Sequence, residues 1–443
     1  MAKSGNRYVC SNCGNESSRW AGKCPACGEW NTFVESAVVS GPLQKEKLEP
    51  QTYEQALASA SATQSRYTTG MAQLDTLLGG GLVPGSVSLL SGAPGMGKST
   101  LLLQIAEYIG RQQKVLYISG EEAVEQVVLR AQRLSVASDV MYAYATDAAA
   151  IAGTIRSGQY GLVIVDSIQT LRVPDLAASP GGVAQVASAT HLLIGSAKAS
   201  RTAVIVVGQV TKEGSIAGPK LLEHMVDSVL HLEGDTKSGL KVLRATKNRF
   251  GTIDETVLYA MGEAGLELIE NPSKELLKER RVSDGSIVTC VMQGTRPLLI
   301  EVQALVNRSA FGYAKRAVSG FDSNRLHVLI ALLEKRTKLS LADKDIYVNI
   351  VGGIKANEPA VDLAVCMAIA SADKGMQLKG DAVIFGEVGL GGEVRRVPFI
   401  EQRIKEAAAM GFSAVVGPKA AKSIDHYSPV EDIRSALNSY LTK

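Results

Sequence analysis

The chain lacks a long uninterrupted apolar run. Its two longest stretches without Asp, Glu, Lys or Arg, Thr76 to Gly97 and Leu176 to Ala197, are broken by proline, several glycines and several serines. That content defeats a bilayer-spanning reading. No apolar segment precedes the first cysteine either, so Met1 to Tyr8 shows no signal peptide, and the expectation is a cytoplasmic protein in a reducing compartment with no membrane partner. A dominant charge is missing too: 47 Lys and Arg stand against 44 Asp and Glu, a net +3. Any site for a polyanion must therefore be a local patch. There is no fixed-period repeat. What remains is ordinary globular composition, 46% apolar and 21% charged over 443 residues, enough for roughly two to four domains.

Six cysteines in a reducing compartment need a purpose other than disulfides. Four of them form two C-x-x-C pairs, Cys10 with Cys13 and Cys24 with Cys27, each followed by a glycine, Gly14 and Gly28. Two such knuckles close a tetrahedron of thiolates around Zn²⁺, and with all four positions filled by sulfur the ion is structural. Trp20 and Trp30 are expected to pack around the knuckles. Cys290 and Cys366 lie alone in apolar runs and read as small core residues.

Between Arg66 and about Glu270, short runs rich in Val, Ile and Leu alternate with longer helical patterns. Val87 to Leu90, Val115 to Ile118, Leu162 to Val165 and Val204 to Val207 are nearly continuous apolar runs, and Val229 to Leu232 follows them. Strands of this kind are buried on both faces, which predicts an α/β fold with a parallel sheet. Further on, strands at Ile287 to Met292, Leu298 to Val306, Ile346 to Val351 and Val383 to Val388 mix with helices at Arg325 to Leu333, Val361 to Ala370 and Ile400 to Ala409, an α+β pattern. The expected organisation is a zinc knuckle over 1–30, a tether over 31–65, the nucleotide core over 66–270, a polar connector over 271–285 and the α+β domain over 286–443.

Gly92-Ala93-Pro94-Gly95-Met96-Gly97-Lys98-Ser99-Thr100 matches G-x-x-x-x-G-K-[ST] and sits between an apolar strand and a helical run, the context that the motif requires. Backbone N–H groups and the helix N-terminus face the phosphates of ATP, Lys98 reaches the β and γ groups, and Ser99 ligates Mg²⁺. Leu162 to Asp166 is an apolar strand ending in a carboxylate, placing Asp166 beside the metal. Glu121 and Glu122 follow a third strand, and either one is a candidate to polarise the attacking water. Gln209, after the fourth strand, is positioned to sense the γ-phosphate or merely to cap the strand.

With these residues in view, the chain resembles the bacterial DNA-repair ATPases of the RadA (Sms) family, over its whole length and in the family's order. The most specific element is the pentapeptide Lys247-Asn-Arg-Phe-Gly251. The resemblance implies a RecA-like ring, a hexamer in which Lys247 and Arg249 act on the neighbouring subunit's nucleotide. Read from the residues alone, Lys241, Arg244, Lys247 and Arg249 fall within ten positions free of acid, which also describes a solvated strand edge.

The tail resembles the Lon protease domain. Ala360 aligns with Lon's nucleophilic serine and Glu401 with its lysine, so the resemblance implies a scaffold without proteolysis. From Asn307 to Lys338, seven basic residues face two acidic ones, interleaved with Phe311, Tyr313 and Phe321. Arg308, Lys315 and Arg316 are therefore candidates to hold single-stranded DNA, together with Lys212 and Lys220 at the position of a RecA-type DNA loop. The family implies a DNA-stimulated ATPase that drives branch migration on single-stranded and branched DNA, acting with a RecA-type recombinase in DNA repair. An ATP-gated DNA-binding scaffold is the alternative, and an ATP-dependent protease a more remote one.

Overall fold

The structure, a computed structural model, describes residues 7–10, 15–36, 50, 52–54, 66–137, 139–174, 176, 178–209, 220–234, 239–309, 313–378, 382–420 and 424–442. Two compact units make up the chain: Met1–Glu233 with Leu243–Ile253 and Met261–Glu267, and Gly234–Val242 with Asp254–Ala260 and Leu268–Lys443.

At the N-terminus, β1 (Arg7–Cys10), β2 (Glu16–Ser17) and β3 (Phe33–Ser36) form an antiparallel sheet in the order β2-β1-β3. Phe33 pairs with Cys10 and, with Cys24, closes a core of three buried residues. So small a core contributes little stability by itself. The ribbon runs past Trp30 because β3 supplies both the third strand and the only buried aromatic ring among its described residues.

Beyond it come α1 (Ala72–Leu77), β4 (Val87–Gly92), α2 (Lys98–Gly110), β5 (Val115–Ser119), α3 (Val124–Arg133), β6 (Val140–Tyr144), α4 (Ala148–Arg156) and β7 (Leu162–Asp166). They are followed by α5 (Val183–Ser200), β8 (Ala203–Gln209), α6 (Lys220–Met225), β9 (Ser228–Gly234), β10 (Leu240–Asn248), β11 (Thr256–Gly262) and β12 (Gly265–Leu268). The sheet order is β12-β11-β10-β9-β4-β8-β7-β5-β6, parallel from β9 through to β6. All residues of β4 and β5 are buried, as continuous apolar runs demand of central parallel strands. Val87, Leu89, Val163, Val165, Val204 and Val206 pack with Leu193 of α5 in one core.

The second unit places β13 (Ser286–Gln293), β14 (Arg296–Arg308), β15 (Arg316–Ser319), β16 (Lys344–Ile350), β17 (Ala382–Ile384), β18 (Ala414–Gly417) and β19 (Tyr427–Pro429) in one sheet, in the order β15-β16-β14-β13-β17-β18-β19. The helix over Asp362–Lys374 is its central element, buried continuously from Asp362 to Ser371. The helices over Ser323–Arg336 and Ile400–Ala409 are amphipathic, burying Leu326, Leu329 and Leu333 on the first and Ile404 and Ala407 on the second. Within the polar 271–285 stretch, Asn271 caps a helix over Pro272–Leu277 by accepting from Lys274 N, with Pro272 at its first turn. Among the described residues no helix is long and apolar enough to cross a membrane.

Candidate functional site

Four parallel strands end at one edge. Gly92 of β4 lies opposite Gln209 of β8, and Ser119 of β5 opposite Asp166 of β7, so the carboxyl ends of the sheet gather the chemistry that the sequence separates by more than a hundred residues. The loop from Gly92 to Gly97 then turns into α2. A Cβ on Gly92 would lie 2.3 Å from the carbonyl oxygen of Leu232, and Gly97 has a left-handed φ of 99° beside Met261, so both positions require glycine. Ala93, Pro94 and Gly95 are exposed at the loop's crest, Met96 tucks inward, and Ser99 and Thr100 begin the helix half-buried.

Around this loop is a cavity of about 440 Å³ whose lining includes Lys98, Ser99, Glu121, Asp166 and Gln209. Lys98 is buried and its Nζ donates to the carbonyls of Gly92 at 2.8 Å and Ala93 at 3.0 Å. Burial lowers its pKa, while the carboxylates of Asp166 and Glu121 oppose the shift. Ser99 Oγ donates to Oδ2 of Asp166 at 2.7 Å. This hydroxyl–carboxylate pair beside the loop is the oxygen donor set that a hard divalent cation such as Mg²⁺ takes. Glu121 and Glu122 are separated by their partners. Glu121 accepts from Ser167 Oγ at 2.5 Å and from Gln209 Nε2 at 3.1 Å, whereas both oxygens of Glu122 are held by Arg130 Nη2 at 2.8 Å. Both acids line the cavity, but among the described residues it is Glu122 that is ion-paired, to Arg130, while Glu121 is held by the neutral donors Ser167 and Gln209.

Sequence reasoning missed Tyr117, which donates to Oδ2 of Asp166 at 2.7 Å. Burial and the Asp166 charge hold its phenol well above the usual tyrosine range, so it stays a donor. It hides inside an apolar strand run, where nothing but its hydroxyl marks it. Arg130 and Met261 line the same cavity and were equally unannounced.

The Lys247–Gly251 pentapeptide is bound into its own subunit. Lys247 Nζ donates to the carbonyls of Glu223, His224 and Val226 at 2.8, 3.1 and 2.7 Å, a cation on the open C-terminal end of α6. Asn248 Nδ2 donates to Leu77 O at 2.9 Å, and Gly251 passes so close to Gly79 that a Cβ would lie 2.8 Å from its Cα. Arg249 differs: its side chain is 54% exposed with one ion pair, to Asp227 at 3.3 Å, and it projects outward. Strand alternation puts Lys241 on the buried side of β10 and pairs Arg244 with Glu233, so these two do not form an open basic face.

In the ribbon, Sγ of Cys10 and Sγ of Cys27 are 3.7 Å apart, and the sulfurs of Cys10, Cys24 and Cys27 lie within 4.8 Å of one another. A tetrahedral zinc with Zn–S of about 2.3 Å sets its sulfurs about 3.8 Å apart, so the three fit. Cys13 lies outside the described residues. Trp20 and Trp30 lie over Gly22, next to the Cys24–Cys27 knuckle, and are 56% and 67% exposed, with Phe33 filling the ribbon's small core. Cys290 and Cys366 are fully buried, and burial pushes the Cys290 thiol up to about 12, as core positions require.

Of the basic residues, Arg308 and Lys315 are exposed, and Tyr313 stands 70% exposed between them. Arg316 is turned inward, donating to Lys344 O at 2.6 Å and Leu341 O at 3.1 Å. Phe321 packs on the core. Lys212 and Phe311 lie outside the described residues, and Lys220 is described only as the first residue of α6.

Ala360 is buried, and the cation beside its segment is Arg403, two residues after Glu401 on the same helix. Arg403 is fully buried, bound to Glu358 at 2.6 and 3.0 Å, to the Cys290 carbonyl, and over the Phe385 ring. Glu401 faces solvent on the first turn of the helix over Ile400–Ala409.

A phosphate-binding loop on the central strand of a parallel sheet, with a neighbouring strand ending in a carboxylate, defines a RecA-like P-loop ATPase, here carrying an N-terminal zinc ribbon and a C-terminal Lon-protease-like domain. Family models agree in sequence order: a rubredoxin metal-binding domain over 8–35, an AAA domain over 53–215 and subunit ChlI of Mg-chelatase over 309–421. The DNA repair protein RadA of Listeria monocytogenes is 46% identical over 94% of this chain and 93% of its own. That of Bacillus subtilis is 45% identical over 95% and 94%, and that of Pseudomonas aeruginosa 43% over 94% of each. A crystal structure of the RadB recombinase aligns to 46% of this chain and all of its own, at 26% identity and a TM-score of 0.38. The chain belongs to the RadA family of DNA repair proteins.

Proposed function

We propose that this chain is a DNA-stimulated ATPase that processes recombination intermediates in the cytoplasm and drives branch migration on single-stranded and branched DNA, working with a RecA-type recombinase. The observation that carries the reading is the convergence of Lys98, Ser99, Asp166, Glu121 and Gln209 on one cavity at the strand ends, in a chain of a DNA repair family. ATP occupies the loop from Gly92 to Thr100, its phosphates facing the loop amides and Lys98. Mg²⁺ is held by Ser99, with Asp166 beside it, and supplies charge neutralisation at the phosphates. Glu121 polarises the attacking water, since Arg130 engages Glu122. Gln209, hydrogen-bonded to that same Glu121, passes the state of the γ-phosphate to the segment that follows it, which carries Lys212 and leads to Lys220.

In this reading the protein is a hexamer. Arg249 reaches the neighbouring subunit's nucleotide, while Lys247 holds the end of α6 and so ties the pentapeptide to the segment preceding that helix. Arg308 and Lys315 touch phosphate, with Tyr313 between them for an unstacked base. Zinc at Cys10, Cys13, Cys24 and Cys27 supplies the ribbon's folding energy.

The test is the ATPase rate with and without single-stranded DNA across a salt series. Stimulation that weakens steeply with salt is expected, and Lys98→Ala abolishes turnover. A Lys98→Ala protein with normal hydrolysis refutes the site. Strand displacement on a fork, measured beside hydrolysis, separates a motor from an ATP-gated scaffold.

A further inference from the structure

The chain has only two tryptophans, and both are on the surface of the zinc ribbon. Trp20 and Trp30 are 56% and 67% exposed, a large cost in apolar surface left in water for residues that usually anchor cores. The edges of both rings lie over Gly22: a Cβ placed there would be 3.8 Å from Cη2 of Trp20 and 3.8 Å from Cζ3 of Trp30. A larger side chain there would meet both rings. The backbone holds this spacing firmly. Asn31 N donates to Gly22 O at 2.7 Å and Cys24 N to Glu29 O at 2.8 Å, and Lys23 bridges to Trp30, so the indoles ride on the hairpin that carries Cys24 and Cys27.

Cations accompany them. Lys23 Nζ lies 5.6 Å from the centroid of the Trp30 ring, and the exposed Arg19 adjoins Trp20 in sequence. The acid on the same hairpin is Glu29. Two exposed rings meeting over a glycine, with Lys23 beside one of them and the exposed Arg19 next in sequence to the other, match the chemistry of unpaired nucleobases strung on phosphates: the rings take the bases and the cations the backbone.

We propose that Trp20 and Trp30, with Arg19 and Lys23, form a stacking platform for single-stranded DNA on the zinc ribbon, separate from the basic residues of the C-terminal unit. The inference rests on the reading of this chain as a DNA-acting ATPase and names a contact point for that DNA. The platform holds bases without sequence preference, since every base offers a ring face.

The absence of any other tryptophan makes the test direct. The zinc-loaded full chain is titrated with an unlabelled oligothymidylate while tryptophan emission is followed, and with a labelled one while anisotropy is followed. Quenching that tracks the anisotropy curve is expected. The double variant Trp20→Leu with Trp30→Leu, checked for one zinc per chain, should bind about tenfold more weakly, the loss that stacked bases give on truncation of their aromatic partner. Trp20→Phe with Trp30→Phe, which keeps the ring faces, should restore most of the affinity and covers the case in which the leucine variant loses zinc. Oligonucleotide binding with unchanged emission and equal affinity in the phenylalanine and leucine variants overturns the platform and leaves the DNA reading standing. Emission that changes only with protein concentration assigns the indoles to a second copy and also overturns it. No oligonucleotide binding in any nucleotide state removes the DNA reading itself.

Discussion

The phenolic hydroxyl of Tyr117 donates to Oδ2 of Asp166 at 2.7 Å, the same oxygen that Ser99 Oγ reaches at 2.7 Å. Two donors from different strands and helices thus aim one carboxylate. Asp166 lies at the end of β7, where the backbone is leaving the sheet, so its rotamer is set by those partners. Tyr117→Phe removes one of them without changing ring volume. A hydrogen bond to a charged group contributes about 1.5–3 kcal/mol, so turnover should fall about tenfold and half-maximal activity should need more Mg²⁺. Steady-state ATPase rates over a Mg²⁺ series check this. Unchanged rate and Mg²⁺ dependence would mean that Ser99 alone orients the carboxylate.

Arg249 and Lys247 belong to one pentapeptide but have different surroundings. Lys247 Nζ has three carbonyl acceptors within its own subunit, whereas Arg249 is exposed with a single ion pair. Arg249→Ala should lower turnover about a thousandfold if its guanidinium completes a neighbour's site. Mixing Arg249→Ala protein with Lys98→Ala protein should recover activity, because intact Arg249 from one variant then meets intact Lys98 of the other. A mixture as inactive as its components argues against action between subunits. Lys247→Met should instead lower the free energy of unfolding by an amount typical of a lost cation at a helix C-terminus, about 1 kcal/mol, measured by denaturant unfolding.

Much of the nucleotide core could be read from the sequence because its signals are local. The Gly92–Thr100 loop and the apolar runs ending at Asp166 and Gln209 identify themselves by residue type and spacing. The strand over Val140–Tyr144 could not be read this way: it is an edge strand with Met141 and Tyr144 exposed, and its Val-Met-Tyr-Ala-Tyr run lacks the Val, Ile and Leu density of its neighbours. Tyr117 escaped for the opposite reason, being one more apolar-looking residue in a buried strand until the fold brings Asp166 to it. The role of Lys247 depends on where α6 ends, and no spacing in the sequence records that. Trp20 and Trp30 are expected around the knuckles, yet the ribbon's small core is closed by Phe33 with Tyr8 packed against it, and both indoles stay exposed.

Arg403 and Glu358 set a second obstacle to proteolysis at the Lon-like segment, beside the missing hydroxyl of Ala360. Arg403 is 0% exposed and Glu358 a quarter exposed, and the guanidinium is further bound to the Cys290 carbonyl. Arginine has no acceptor atom, so it cannot take a proton from a nucleophile. Ala360→Ser should therefore produce no casein hydrolysis. Arg403→Met leaves the Glu358 carboxylate without its partner and should cost about 3–5 kcal/mol of stability, read as a lowered unfolding midpoint. Proteolysis by the serine variant would show that another group can act as base there.

His231 introduces a pH dependence next to the phosphate loop. Its Nδ1 is 3.0 Å from Ser91 Oγ, on the strand that feeds Gly92. Burial lowers its pKa below 6.5, helped by the cations Arg244 and Lys98, while Glu233, 3.9 Å away, is the acid facing it. Above the unfolded value of 6.5 both states are neutral at this position and it has no effect on stability. As pH falls below 6.5, the unfolded chain takes up the proton first, and stability is lost until pH passes the lowered native value. His231→Asn removes this contribution and keeps a polar partner for Ser91. The midpoint of thermal unfolding should therefore fall less steeply for the variant than for the parent across the acid side of pH 6.5, with the two curves parallel above it. Carboxylates titrate equally in both proteins, so the difference between the curves isolates the imidazole, and parallel curves over the whole range would show that His231 is not proton-linked to folding.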